Sequence, residues 1–282
     1  MDTPTLLDRR ERRLLSKTEF SPEEERAFQW LLREYRSALD PVEDDIETWV
    51  RNATEADLSS LESIRTELDS RVGQYTADFE TLFREGTERG AQAGRALAAR
   101  REQLDIDFDL VPQRTLEELD EWVETAVESN LDTITEDSTR WLRGAFEDGL
   151  GIDEIVDDLE QEFYDGHLEE YIGERHVRTA VHGSSEAGNH SAHEDAPGVV
   201  AERWISATDD RVRPTHDEAH GQVVAVGDSF AVGDSFLEYP GDPSGEPDEV
   251  IWCRCSTVGV FADNLTADQL EAIENGERIY LT

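Results

Sequence analysis

Residues 204–256 begin W-I-S-A-T-D-D-R-V-R-P-T-H-D-E-A-H-G-Q-V-V, from Trp204 to Val224, and end V-I-W-C-R-C-S, from Val250 to Ser256. Both cysteines of the chain, Cys253 and Cys255, lie in this stretch together with His216 and His220, which are spaced four apart. Residue types that ligate transition metals therefore converge on one small region. Val199, Val200, Trp204 and Ile205 favour a strand, as do residues 222–226 before the Gly227-Asp228 turn and residues 250–258. The stretch predicts a small, loop-rich α+β module.

Working outward, the composition shifts near Gly144: fifteen of the nineteen glycines lie at or beyond it, and all seven histidines fall between His167 and His220. Upstream, apolar residues recur every three or four positions. Ser21-Pro22-Glu23-Glu24 predicts a helix start with a capping box, and Asp40-Pro41 predicts its end. A second helix would carry Ile46, Trp49 and Val50. A third, opened by Thr54 with Asp57, would present one unbroken seam from Leu61 to Leu82. Gly86, Gly90 and Gly94 share a helix face and predict a tight helix crossing. Residues 104–110 alternate with period two, as in a strand or an arm laid along another surface. Two more helices are expected, one capped by Thr115 with Glu118 and one carrying Ile134, Trp141, Leu142 and Phe146. Residues 152–163 form a short amphipathic helix, and the next helix loses its apolar face after Val181. The fold class expected is α+β, with a helical domain at 1–148 and a mixed module at 149–282.

Charge sets a further bound. Asp plus Glu number 67 against 26 Lys plus Arg, a formal net charge of -41, and Lys17 is the single lysine. With 37% hydrophobic residues and six tryptophans the chain has the material for folded cores, so the acid excess points to a saline cytoplasm rather than to disorder. Sequence-specific nucleic-acid binding is disfavoured, because phosphate contacts need clustered bases. The densest basic cluster, Arg9 to Lys17, reads as a helical arm with internal charge pairs or as a docking arm. No apolar run reaches the roughly 18 residues of a membrane span and no apolar signal core opens the chain, so a soluble intracellular protein is expected.

If Cys253 and Cys255 lie on a strand, both sulfurs face one side. If His216 and His220 lie on a helical turn, they share a face too. The four together suit one tetrahedral structural zinc. The alternative is that the cysteines pack as small apolar residues while His216 caps a turn. H-D-E-A-H is not H-E-x-x-H, because Asp217 stands where the general base would be. With no Gly-rich phosphate loop and no nucleophile beside an evident base, no catalytic residue is assigned.

These residues together resemble the phage Mu F-like head-morphogenesis proteins, over residues 149–260. The resemblance rests on the glycine-led helix near Gly151, the Arg178-Thr179 dipeptide and the series Trp204, Asp209, Arg211, Arg213, His216, then Gly221. The P-G-D-P loop from Pro240 to Pro243 and Cys253-Arg254-Cys255 complete it. Ala180 stands where an acidic residue often follows Arg-Thr, and His220 comes from spacing alone, not from the family. The resemblance implies a non-enzymatic minor head protein of a tailed virus or provirus, with portal and other capsid proteins as partners, and the acid excess adds a halophilic host. Its place would be the virion at the portal vertex, and the host cytoplasm during assembly. Asp209, Arg211 and Arg213 would form an ion-pair cluster holding the His216 loop. The alternative class is a virion-delivered metal-dependent hydrolase or transferase.

Overall fold

The computed structural model describes residues 20–54, 56–58, 60–159, 163–164, 168, 172–207, 209 and 211–281. The basic arm expected within residues 1–19 lies outside them. In order, the elements are α1 (Pro22–Asn52), α2 (Leu61–Val72), α3 (Thr76–Glu102), α4 (Gln113–Glu147), α5 (Ile152–Asp158), α6 (Glu174–Asp195), β1 (Val199–Ile205), α7 (Pro214–Ala219), β2 (Gln222–Ala225), β3 (Phe230–Val232), β4 (Ser235–Leu237), α8 (Pro247–Val250), β5 (Ser256–Phe261), α9 (Ala267–Glu274) and β6 (Ile279–Tyr280). Helices fill the first half and the strands come after residue 198, which is the α+β class. The chain forms two compact units: described residues 20–28, 87–119 and 179–281 make the first, and 29–86 with 120–178 the second.

The second unit is helical. Tyr35 is fully buried, meets Phe79 and Phe83 edge-on at 5.6 and 6.2 Å, and accepts a hydrogen bond from Asn130 Nδ2 at 2.9 Å. The helix expected to stop at Asp40 instead runs through Pro41. A mid-helix proline costs about 3 kcal/mol. Leu39, Val42, Ile46 and Val50, however, are buried along the same helix, and each buried side chain of this size contributes roughly 1.5–3 kcal/mol. Packing therefore outweighs the proline. Thr54 and Asp57 do bond reciprocally, Thr54 N to Asp57 Oδ2 at 2.7 Å and Asp57 N to Thr54 Oγ1 at 3.4 Å, but they close only a turn. The helix starts after Ser60, whose side chain caps Ser63 N. The seam expected from Leu61 to Leu82 is interrupted by a 3-10 turn at Gly73–Tyr75, and Leu61 is 54% exposed. The two helices expected between Thr115 and Phe146 are one, because residues 128–133 hold neither glycine nor proline.

In the first unit, Ser21 and Glu24 form the predicted capping box, with Ser21 N to Glu24 Oε2 at 2.8 Å. The antiparallel sheet has the order β5-β1-β2-β6. Ala201, Val223 and Val260 pack with Ile273 of α9 on one side. Strand alternation turns Glu202 and Trp204 to the other side, and both are fully buried.

Toward that side lies α6, where every residue from Ala180 to His193 is buried. The helix loses its apolar face after Val181 as expected, yet it stays buried. Small and polar residues, Ser184, Ser185, Glu186, Asn189, His190 and His193, replace the apolar stripe, and all but Ser185 have hydrogen-bond partners inside the unit. Close approach of α3 makes this possible. A Cβ on Gly94 would lie 1.8 Å from Ser185 O, and one on Gly188 would lie 2.0 Å from Ala91 O, so the two backbones nearly touch. The tight crossing predicted from the glycine spacing is present at Gly90 and Gly94. Residues 104–110 form no strand; they run along α3, where Arg95 Nη2 donates to Asp107 O at 3.0 Å and Gln92 Nε2 to Asp109 O at 3.3 Å.

Gly188→Ala and Gly94→Ala each drive a methyl group into backbone, so each should destabilise the protein by about 3 kcal/mol or more. Gly144→Ala in α4 meets nothing within 4 Å and should stabilise it by about 0.5–1 kcal/mol through helix propensity. Urea unfolding of the three variants checks this, and unchanged midpoints for the first two would refute the crossing.

Candidate metal centre

Pro214 at the first helical position and Gly221 just past the end confine α7 to residues 214–219. This turn buries His216 to 2% exposure. Its Nδ1 lies 3.2 Å from Cys255 Sγ and 3.7 Å from Cys253 Sγ, and its Nε2 lies 2.9 Å from Glu249 Oε2. That last approach lacks hydrogen-bond alignment, although Thr215 Oγ1 holds the same carboxylate oxygen at 2.8 Å. The ligand atoms of His216, Cys253 and Cys255 all lie within 4.8 Å of one another, and both cysteines are free thiols. Trp204 walls the cluster, edge-on to His216 at 5.9 Å and to Phe230 at 5.3 Å.

Two premises of the sequence argument are corrected. The cysteines do not sit on a strand: β5 begins only at Ser256, and Trp252 adopts a φ of 60°. The short loop nevertheless alternates, with both sulfurs inward and Arg254 outward to Asp209, Nη1 to Oδ2 at 2.6 Å and Nη2 to Oδ1 at 2.7 Å. His220 does not share a helical face with His216, because α7 ends at Ala219 and His220 turns to ψ 130°. Its Nδ1 instead accepts from Ser206 N at 3.1 Å. Three of the four expected ligands thus come together.

The other motif residues brace this loop. Asp209 also accepts from Arg211 N and Nη2, at 3.1 and 3.0 Å, and Arg254 followed by Arg211 holds its carboxyl well below the usual range. Arg213 joins no ion pair of this set; its Nη2 donates to Ile251 O. Gly221 has a φ of 80°, and its N–H bonds Trp204 O at 2.9 Å while its carbonyl accepts from Leu281 N at 2.9 Å. A side chain there would be strained in φ and would meet Leu281 O at 2.8 Å. Thr179 Oγ1 accepts from Trp252 N at 3.4 Å, and Gly241 of the P-G-D-P loop lies against Gly183 of α6.

Cys253 is pulled well below the ordinary thiol value, by a hydrogen bond from Cys255 first and by His182 and His216 after it, against the opposing effect of burial. Burial pushes Cys255 up. His182 stands beside Cys253 with the buried carboxylates of Glu24 and Glu186 within 4.8 Å of it, and its Nε2 has no hydrogen-bond partner. Sequence reasoning missed His182, Glu186 and Glu249. The spacing of His182, Glu186 and His190 at i, i+4 and i+8 was the available signal, obscured because no apolar stripe accompanies it.

Farther along α6 is a buried chain of alternating charge. Glu202 of β1 takes His193 Nδ1 on Oε1 and His190 Nδ1 on Oε2, both at 2.6 Å. His193 Nε2 meets Glu102 Oε2 at 3.0 Å, and that oxygen also accepts Gly259 N at 3.0 Å. Arg101 reaches Glu102 and donates to Thr257 O at 2.8 Å. Burial opposes charge on both histidines, yet the carboxylates raise them to about 9; burial likewise opposes charge on Glu102 and Glu202, yet the facing cations lower them to about 2.

Residues 139–258 match the family model described as Phage Mu protein F like protein, a span of less than half the chain. No curated protein and no solved structure matches. Among the described residues no helix is long and apolar enough to cross a membrane.

The charged chain makes stability depend on pH with a definite sign. The histidines' contribution is complete below 6.5 and is lost as pH rises through about 9; that of the glutamates is complete above 4.5 and is lost as pH falls through about 2. Stability from this network should therefore be greatest between pH 4.5 and 6.5. Glu202→Gln should cost about 3–5 kcal/mol in that window, by stranding buried imidazolium charge. It should also flatten the alkaline decline. Melting curves across pH test both, and a variant that declines as steeply as the parent would contradict the assignment.

Proposed function

We propose that this chain is a minor head protein of a tailed virus or provirus, acting in capsid assembly beside the portal. The observation that carries the proposal is the match of residues 139–258 to the Phage Mu protein F like family. The residues behind the resemblance also have structural work in the fold. Asp209 and Arg254 clamp the cysteine loop, Gly221 makes a turn that a side chain would strain, and Gly241 allows the P-G-D-P loop to meet α6. Such roles suit a module whose motif residues hold its shape rather than turn over a substrate. Against the hydrolase alternative stands burial: His216, Cys253 and Cys255 are 2%, 4% and 1% exposed, which leaves a substrate no approach to them.

Partner contact falls to what the core does not use. Phe108 and Leu110, on the arm along α3, are 37% and 67% exposed, and the basic segment within 1–19 complements an acidic surface. The excess of acid over base supports a host with a saline cytoplasm, so assembly is tested in molar salt.

Particles produced in such a host and purified on a gradient should contain peptides of this chain alongside portal and capsid proteins by mass spectrometry. Deleting residues 1–19 should leave melting unchanged but lower recovery in particles. Absence of the full-length chain from intact particles overturns the head-protein reading; equal recovery of both forms moves the docking role to residues 104–110.

A further inference from the structure

We propose that His182, His216, Cys253 and Cys255 form a tetrahedral zinc site, with His182 rather than His220 as the fourth ligand. Zinc bonds of about 2.3 Å to sulfur and about 2.0 Å to nitrogen at a tetrahedral angle place sulfur and nitrogen ligands roughly 3.6 Å apart. The two distances from His216 Nδ1 to sulfur, 3.2 and 3.7 Å, bracket that value. Three ligand atoms are therefore already at the spacing of a metal's coordination shell.

The arrangement behind the histidines points the same way. An imidazole that ligates a metal through one nitrogen usually turns the other toward a carboxylate, which fixes the ring and raises its basicity. His216 has sulfurs at Nδ1 and Glu249 at Nε2, and Glu249 is itself held by Thr215. His182 adjoins Cys253 and has Glu24 and Glu186 within 4.8 Å, but its ring lies outside the 4.8 Å group that His216, Cys253 and Cys255 form. Its Nε2 is buried and without a hydrogen-bond partner, an uncommon and costly state for a polar atom inside a protein. Completing the shell requires this ring to move toward the two sulfurs. Glu24 and Glu186 then act as the outer carboxylates of His182.

Two thiolates and two imidazoles select zinc over the hard cations magnesium and calcium, which take oxygen. With four protein ligands no coordination position is left for substrate, so the metal is structural. It would join three segments: α6 through His182, α7 through His216, and the loop between α8 and β5 through the cysteines. The apolar cluster around Trp204, Phe230 and Leu237 is small, and a metal would lock it where short strands supply little core.

The test uses the untagged full-length chain. Elemental analysis should find about one zinc per chain, and X-ray absorption at the zinc edge should give two sulfur and two imidazole ligands at the bond lengths above. His182→Ala should lower zinc affinity at least about tenfold in competition with a chelator, whereas His220→Ala should leave it unchanged. Zinc below about a tenth of an equivalent after incubation with excess metal would overturn the site. A shell containing one imidazole, or a His220→Ala loss matching that of His182→Ala, would overturn the ligand assignment even if His182→Ala fails to fold.

Discussion

Burying α6 on all sides is the constraint to which the first unit answers. A helix that carries Glu186, His190 and His193 into the interior is tolerable only if every charge meets a counter-charge, because an isolated buried ion costs several kcal/mol. Glu202, central in β1, answers two imidazoles with one carboxylate, and Glu102 answers His193 from α3. The register of β1 against β5 follows from the same demand, since Gly259 opposite Glu202 has its N–H on Glu102, where a Cβ would fall 2.6 Å from the carboxylate. The glycines of α3 and α6 let the backbones close to the distance these bonds need.

The N-terminal part of α6 extends the same logic to the cysteine loop. His182 is one turn before Glu186, and Thr179 one turn before Gly183; the former adjoins Cys253 and the latter's hydroxyl accepts from Trp252 N. One face of one helix thus reaches both the charged chain and the sulfur cluster. Asp209 and Arg254 hold the far side of the loop, so the sulfurs are fixed from two directions. A core specified by paired charges has a plain advantage over a merely greasy one: few alternative packings satisfy it.

Local signals in the sequence survived where they were set by one or two residues. The Ser21 capping box, strands at Val199–Ile205 and Gln222–Ala225 and the glycine crossing at Gly90 and Gly94 are as the spacing predicts. What failed depended on tertiary packing. Pro41 was overruled by the buried side chains around it, and the burial of the polar second half of α6 left no trace in the pattern because paired charge leaves no apolar period to count. The Cys253 and Cys255 pairing was legible, since alternation in an extended loop has the same consequence as in a strand. His220 was misplaced by assuming one more residue of helix than Gly221 permits.

The account depends most on Glu202 facing two charged imidazoles inside the protein. Nitrogen-15 spectra of the histidine rings, recorded at about pH 8, below the raised values of about 9 for His190 and His193, report protonation directly. Both rings should carry protons on both nitrogens. A neutral tautomer at either His190 or His193 would contradict the alternating charged chain on which the burial of α6 depends.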